Sequence, residues 1–166
     1  MQRGITKRER EVTDPKEILE ILDQSMVVHL AMVDGDEPYL VPMNYGYTME
    51  DGKLTLYVHG AVKGRKTDVL QANPKVFFSM ECDVRPFEGP VACRYGTTYA
   101  SVMGAGKAEI LQDPEEKKAG LSVLMKTQTG KDFVFDDRMV SIVSVIRITA
   151  DYYTAKKRPA PQRGES

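Results

Sequence analysis

The segment YVHGAVKGRK, residues 57–66, places a histidine and three cations beside glycine-containing backbone. The residues concerned are His59, Gly60, Lys63, Arg65 and Lys66. Glycine-rich backbone leaves amide groups free for an anion, and the start of a following helix adds a partial positive charge. An arginine fork and a lysine point charge suit a phosphomonoester, so the segment predicts a phosphate site. A solvated hairpin end with scattered cations is the alternative interpretation.

The same segment differs from the P-loop of nucleotide triphosphate hydrolases. That motif has four residues between its glycines and a lysine directly after the second. Here three residues separate Gly60 from Gly64, and Arg65 stands before Lys66. Successive amides would then no longer surround a phosphate in the P-loop manner, and we exclude nucleotide triphosphate hydrolysis.

Overall composition gives no electrostatic reason to expect nucleic acid or an anionic membrane as a partner. The 166 residues include 23 Lys and Arg against 24 Asp and Glu, for a net charge of −1. A cationic site must therefore be local. No apolar run approaches the roughly 20 residues that cross a bilayer, and the polar start MQRGITKRER does not resemble a secretory signal. We expect a cytoplasmic protein of one domain.

Cysteine and histidine are too few for an obvious metal centre. Cys82 and Cys93 are the two cysteines, and we interpret them as reduced, half-buried strand residues; a disulfide between them is the alternative. His29 is expected to pack within the first strand, which leaves His59 as the histidine available for chemistry.

Three segments carry helix signals. Asp14, Pro15 and Glu17 give TDPKEILEILDQ a capped start, and DPEEKKAGLSVLMKTQTG repeats the pattern. GRKTDVLQANP predicts a shorter helix that ends before Pro74. These helices must be placed around a sheet, because the rest of the chain is rich in β-branched residues.

Six segments predict strands: MVVHLAMVD, YLVPMNYGYTM, LTLYVHG, KVFFSMEC, TTYASVMGAGKAEIL and MVSIVSVIRITA. The first three are expected to form an antiparallel meander, and residues 83–91 a loop. Short connections favour a small antiparallel barrel with peripheral helices in an α+β domain. We place this domain at residues 1–152 and expect residues 153–166 to form a disordered tail.

Longer stretches resemble the pyridoxamine-phosphate-oxidase-like flavoproteins. HLAMVDGDEPYLVPMNYGY, YVHGAVKGRKTDVLQANPKVFFSME and YASVMGAGKAEILQDPEEKKAGLSVLM follow in the same order and spacing. The match extends from Arg10 to about Ile148, and the branch of nitroimidazole-resistance (nitroimidazole reductase) proteins is the more similar one. The resemblance implies a six-stranded antiparallel split β-barrel, a homodimer, and FMN bound at the subunit interface.

The resemblance also implies roles for particular residues. The cofactor-binding positions are Pro42, Met43, Asn44, Tyr45, His59, Gly60, Lys63, Arg65, Lys66 and Ser101. The first four would lie beside the flavin ring, the basic pair would hold the phosphate, and Ser101 would contribute from a strand of either subunit. Simpler alternatives remain: Asn44 satisfying backbone at a bulge, Tyr45 packing in the barrel, and His59 facing solvent.

The function implied is FMN-dependent transfer of electrons or hydride to a small acceptor, with nitro-aromatic compounds as one acceptor class. His59 would orient the acceptor or donate a proton. RITADYYTAKKR lacks the arginine–histidine signature that grips pyridoxine phosphate, so pyridoxamine-phosphate oxidation is disfavoured. A deazaflavin or haem in place of FMN, a non-catalytic sensor or carrier, and a homodimer without cofactor are the alternatives.

Overall fold

A computed structural model describes residues 5–161 and shows one antiparallel sheet of eight strands. The strands are β1 (Glu11–Val12), β2 (Val27–Asp34), β3 (Glu37–Asn44), β4 (Gly46–Glu50), β5 (Lys53–Gly60), β6 (Lys75–Phe87), β7 (Gly96–Ile110) and β8 (Ser144–Arg158). Their order is β3-β2-β6-β7-β8-β5-β4, and β1 pairs with β8. The predicted α+β fold class with an antiparallel split barrel is confirmed, although the strand count of six is wrong.

Four α-helices lie against this sheet: α1 (Pro15–Gln24), α2 (Arg65–Ala72), α3 (Pro114–Thr129) and α4 (Asp137–Ser141). The first three were predicted. Asp14 caps α1 by accepting from the Lys16 amide, and Asp113 caps α3 by accepting from the Glu115 amide. The apolar face of α1 closes one end of the core through Ile18, Ile21 and Leu22.

The predicted three-strand meander is broken at Tyr45. Its side chain is fully buried, and its hydroxyl donates to the Leu22 carbonyl at 2.6 Å. Gly46 then passes so close to α3 that a Cβ there would lie 2.3 Å from the Leu124 Cα. The long second strand is thereby divided into β3 and β4, which lie at opposite ends of the strand order. The chain at Tyr45 crosses from one edge strand of the sheet to the other. Because β3 and β4 do not pair with each other, the barrel is split between these two edges.

Strand β6 extends beyond its predicted end. Residues 83–87 were expected in a loop, but Arg85–Phe87 pair with β7 across a bulge that follows Cys82. The bulge includes Asp83 at a φ of 54°. Strand β2 pairs with β6 only around residues 77–79, so the outer edge of β6 is open near Pro86, where the missing amide costs no ladder bond.

The last strand begins and ends later than predicted. Met139 lies in α4, and β8 starts at Ser144. The expectation of a disordered tail is wrong for residues 153–158, which pair with β7 and carry the buried Ala155. The fifteen-residue β7 offers a pairing partner that the charged composition of this segment does not reveal. The remainder of the expected tail, residues 162–166, lies outside the described residues.

Alternate residues of the central strands point into one core. Its fully buried members include Val28, Leu30, Leu56, Val58, Phe78, Val102, Ile146 and Ile148. A smaller cluster of Leu111, Leu121, Val140 and Val145 fixes α3 and α4 on the other side of β8. This packing holds the ends of β3 and β5 in place beside the start of α2.

Candidate functional site

The Lys66 side chain lies in the split of the barrel, where β3, β5 and the start of α2 meet. Its ammonium group lies 3.5 Å from the Met43 sulfur. A Cβ built on Gly60 would lie 2.5 Å from the Lys66 Nζ, so the amine occupies space that only glycine leaves open. Three of the predicted site residues, Met43, Gly60 and Lys66, are thus brought together by the fold. We call this place the split site.

The split site has a positive charge without a counter-charge. Within residues 5–161, no carboxylate lies within 4.0 Å of the half-buried Lys66. Desolvation lowers the pKa of Lys66. The pKa of His59 is lowered by desolvation first and by the Lys66 charge second, which favours the neutral imidazole, and the residue is exposed at the end of β5. A bound anion would provide the missing counter-charge, and a phosphate group therefore fits these residues.

Backbone of the loop also favours an anion at this place. Gly64 precedes α2 with a φ of 147°, in the region that favours glycine. The Thr67 hydroxyl donates to the Gly64 carbonyl at 2.7 Å, and the Asp68 amide donates to it at 3.1 Å. The first amides of a helix have no acceptor within it. Lys63 is exposed in the same loop and adds charge nearby.

Arg65 does not share the position of Lys66. Its Nε donates to Asp34 at 2.7 Å and its Nη2 to Glu37 at 3.1 Å. The guanidinium group also lies 4.5 Å from the centre of the Tyr39 ring. The predicted basic pair is therefore divided, because Arg65 binds the β2–β3 turn. Sequence reasoning missed this turn as a partner, since nothing in the spacing of the acidic residues indicates it.

Asn44 and Tyr45 stabilise the corner between β3 and β4 through hydrogen bonds and packing. The Asn44 amide donates to the Met26 carbonyl at 3.2 Å and to Gln128 Oε1 at 3.3 Å. Gln128 in turn donates to the Tyr45 carbonyl at 2.8 Å. Desolvation raises the pKa of the buried Tyr45 hydroxyl. The Tyr45 side chain packs in the core, as the barrel-packing alternative describes, and a cofactor-binding role for this residue stays a prediction.

Pro42 and Ser101 lie on the outer face of the sheet, the solvent-exposed side of β2, β3, β6 and β7. Pro42 is exposed and pairs with His29. Ser101 pairs with Lys156, whereas His59 pairs with Val145, eleven residues away on β8. At about 3.3 Å per residue, roughly 35 Å of strand separates them. Ser101 can join a site at His59 only from another subunit.

The fold and these residues agree with a family assignment. Residues 14–157 match the model of a family described as pyridoxamine 5'-phosphate oxidase. The chain belongs to this family. None of the curated proteins matches it.

Solved structures of similar proteins support the assignment. A protein of Bacteroides thetaiotaomicron, named for 5-nitroimidazole antibiotic resistance, is 30% identical over 89% of this chain and 86% of its own, with a TM-score of 0.76. The flavocytochrome Anf3 of Azotobacter vinelandii, at 17% identity, covers 96% and 74% with a TM-score of 0.77. An FAD- and heme-binding protein of Mycobacterium smegmatis, at 16%, covers 92% and 76% with a TM-score of 0.76. The latter two show the fold alone.

The metal-ligating side chains, the cysteines and the helices of the described residues bear on the remaining sequence-based expectations. Within residues 5–161, no three His, Cys, Asp or Glu side chains come together as a metal site. Cys82 and Cys93 are both free, and Cys93 is exposed in the turn before β7 instead of lying in a strand. In the same part of the chain, every helix is too short or too polar to cross a membrane.

Proposed function

We propose that this protein binds FMN at the split site and transfers electrons or hydride to a small acceptor, with nitro-aromatic compounds among its acceptors. The observation that carries the proposal is the half-buried Lys66 ammonium, which has no carboxylate partner among residues 5–161. A phosphomonoester brings about −1.5 to −2 charges at neutral pH and satisfies such a cation. Family membership supports a flavin as the molecule that bears the phosphate.

The proposed phosphate site at Lys66 also favours FMN over haem. Haem carries carboxylates but needs an axial ligand at its iron, and the chain has two histidines. His29 lies 3.6 Å from Glu81 on the outer face. It pairs with Ser79 of β6 and is not part of the site around Lys66. His59, the remaining histidine, adjoins the phosphate site. A deazaflavin with a phosphate would satisfy the same cation, so the proposal is tested with FMN first.

A second copy of the chain would complete the site. The outer face exposes Val27, Val33, Leu40 and Phe77, with 37–56% of each side chain accessible. Leu40, Ala31 and Phe77 are direct neighbours across three strands, so this apolar surface is continuous. Ser101 lies on the same side of the sheet, because its neighbours Ala100 and Val102 point into the core. A homodimer across this face would bring Ser101 towards the site of its partner.

Each site residue then has a defined task. Lys66 and the first amides of α2 hold the phosphate, and Met43 provides an apolar wall beside it. Bound FMN supplies the redox chemistry. His59 orients an acceptor by hydrogen bonding, since its lowered pKa disfavours the protonated form that would act as an acid.

Pyridoxamine phosphate is not the substrate that we propose. Strand β8 lacks the arginine–histidine signature expected for that substrate. Its Arg147 donates to Glu109 at 2.7 Å and to Glu116 at 3.0 Å. Both carboxylates raise the pKa of this group and occupy its donors.

Anaerobic reoxidation tests the proposed function. Protein reconstituted with FMN is reduced with dithionite and mixed with a nitroimidazole or with oxygen in a stopped-flow instrument. We expect reoxidation by the nitro compound to be saturable and faster than reoxidation by oxygen. The absorbance of the flavin measures both rates.

Two outcomes would contradict parts of the proposal. Stoichiometric FMN binding with equally slow reoxidation by every acceptor would assign the protein to the non-catalytic carriers. Failure to bind FMN at any concentration would remove the cofactor assignment itself. Free FMN, reduced and mixed in the same way, gives the rate that the protein must exceed.

A further inference from the structure

Two adjoining cavities lie at the far end of β8 from the split site. One, of about 400 Å³, lies between the paired ends of β6 and β7 and the end of β8. The other, of about 600 Å³, lies between β8 and the turn before β7. Phe87, Arg158, Pro159 and Ala160 line both cavities and form the wall between them. Volumes of this size are typical of sites for small molecules.

Five cations surround these cavities, against a single carboxylate. The lining cations are Arg10, Arg85, Arg94, Lys157 and Arg158, and the carboxylate is Asp83. We call this region the cationic corner. Its charge is local, since the whole chain carries −1. The side chains come from β6, the turn before β7, β8 and the segment before β1, so the tertiary structure assembles them.

Two of these five cations are free to bind an anion. Lys157 lies 2.6 Å from Glu17, Arg85 lies 3.4 Å from Asp83, and Arg10 lies 3.9 Å from Glu9. Within residues 5–161, no carboxylate lies within 4.0 Å of Arg94 or Arg158. An arginine fork without a carboxylate partner is suited to a planar or tetrahedral anion.

The cationic corner also has an aromatic wall that is fixed in place. The Arg158 guanidinium lies 5.1 Å from the centre of the Phe87 ring. Both groups occupy the space over Gly96, where a Cβ would lie 2.5 Å from Phe87 Cζ and 2.7 Å from Arg158 Nη2. Tyr99 lines the first cavity, and its hydroxyl accepts from Arg10 at 3.5 Å. Aromatic faces beside cations favour a ring that bears a negative group.

We propose that the cationic corner is a second ligand site, which binds a small aromatic molecule carrying one phosphate or carboxylate group. Arg158 and Arg94 pair with the anionic group, and Phe87 and Tyr99 pack against the ring. Within one chain, β8 separates this site from Lys66 by most of its length. Tyr99 and Arg158 lie on the same face as Ser101, two positions along the strands, so in the proposed dimer the cationic corner adjoins the site of the partner, and binding is therefore measured with and without FMN.

Phenyl phosphate and benzoate are the probes, and phenol is the uncharged control. Each is titrated into the full chain, with and without saturating FMN, and amide chemical shifts are followed by NMR. We expect saturable shifts at Gly96 and Arg158 for both anions in either state, and weaker binding of phenol. The stronger of the two anions identifies the preferred group. Shifts confined to residues 59–66, or no saturable binding, would overturn the proposal.

Substitutions test the assigned residues. Arg158→Gln removes one charge and should weaken phenyl phosphate binding about tenfold or more, the usual effect of losing a charged hydrogen bond. Arg138→Gln removes one exposed charge from α4 and should leave affinity unchanged. Equal losses in both variants would overturn the site in favour of general charge attraction. Should Arg158→Gln fail to fold, Arg94→Gln in the exposed turn gives the same comparison.

Discussion

Lys66 and Arg65 are adjacent in sequence but meet opposite surroundings. Arg65 is neutralised by Asp34 and Glu37 at the β2–β3 turn. Lys66 has no such partner among residues 5–161 and is desolvated beside Met43. An exposed ion pair contributes about 0–1 kcal/mol, but a cation that has lost water gains more from an added anion. In the proposed function the lysine is therefore the principal phosphate ligand of the two.

Single substitutions separate these two cations. Lys66→Met keeps the length of the side chain and should weaken FMN binding by about tenfold to a hundredfold, because a charged hydrogen bond contributes about 1.5–3 kcal/mol. Riboflavin, which lacks the phosphate, should bind Lys66→Met almost as it binds the wild type. Arg65→Met should have the smaller effect on FMN. Quenching of flavin fluorescence measures each of these affinities.

The histidine provides a second readout of the Lys66→Met variant. The pKa of His59 should rise when the lysine charge is removed, and should stay below 6.5 because desolvation remains. NMR titration of the imidazole protons gives this value. An unchanged His59 pKa, or equal losses of FMN and riboflavin affinity, would argue against the arrangement described for Lys66.

At the scale of elements, two glycines set how β3, β4, β5 and the helices approach one another. A Cβ at Gly46 would meet backbone of α3 at Leu124 and Val123, which cannot move without displacing the helix. A Cβ at Gly60 would meet the end of the Lys66 side chain, which is flexible. The first glycine therefore supports the fold, and the second leaves room for the site.

The two alanine variants should consequently fail in different ways. Gly46→Ala should lower the free energy of unfolding by about 1–3 kcal/mol, as overpacking does. Gly60→Ala should change stability little and reduce FMN affinity, because the lysine amine is displaced. Urea denaturation and flavin titration measure the two effects. A stable Gly46→Ala protein, or a Gly60→Ala protein with unchanged FMN affinity, would contradict this division.

At the scale of the whole molecule, one chain holds only part of the proposed site. Ser101 and His59 are separated along β8, and the outer face is apolar around Leu40, Ala31 and Phe77. An exposed apolar face of this kind is typical of an interface. The second copy would cover it and contribute Ser101 at the same time, so the proposal couples dimerisation to flavin binding.

Charge placed on the outer face should break this coupling. Leu40→Asp and Phe77→Asp each put a carboxylate on the apolar surface and should convert a dimer into monomers with much weaker FMN binding. Val134→Asp, on a side chain that is 94% exposed between α3 and α4, is the control and should remain dimeric. Size-exclusion chromatography with light scattering gives the mass. Dimeric Leu40→Asp and Phe77→Asp proteins would place the interface elsewhere.

Local signals in the sequence were sufficient for much of the fold. Asp14 and Asp113 cap their helices as predicted, because a cap depends on the two or three residues that follow it. The alternation of Val28, Leu30 and Met32 with exposed residues likewise predicts a half-buried strand. The residue types of the loop from Gly60 to Lys66 suit a phosphate, and the family resemblance favoured this interpretation over a solvated hairpin end; the loop remains the candidate site.

Only the tertiary structure decided where strands break and which cations are free. The division at Tyr45 depends on Leu22 and Gln128, and the pairing of residues 153–158 depends on β7, so both require contacts between distant parts of the chain. Arg65 was separated from Lys66 by acidic residues about thirty positions away. The sequence by itself determined the local elements, since these follow from short-range hydrogen bonds and the periodicity of apolar residues. The assignment of each charge required the fold, because electrostatic partners are set by distance in space.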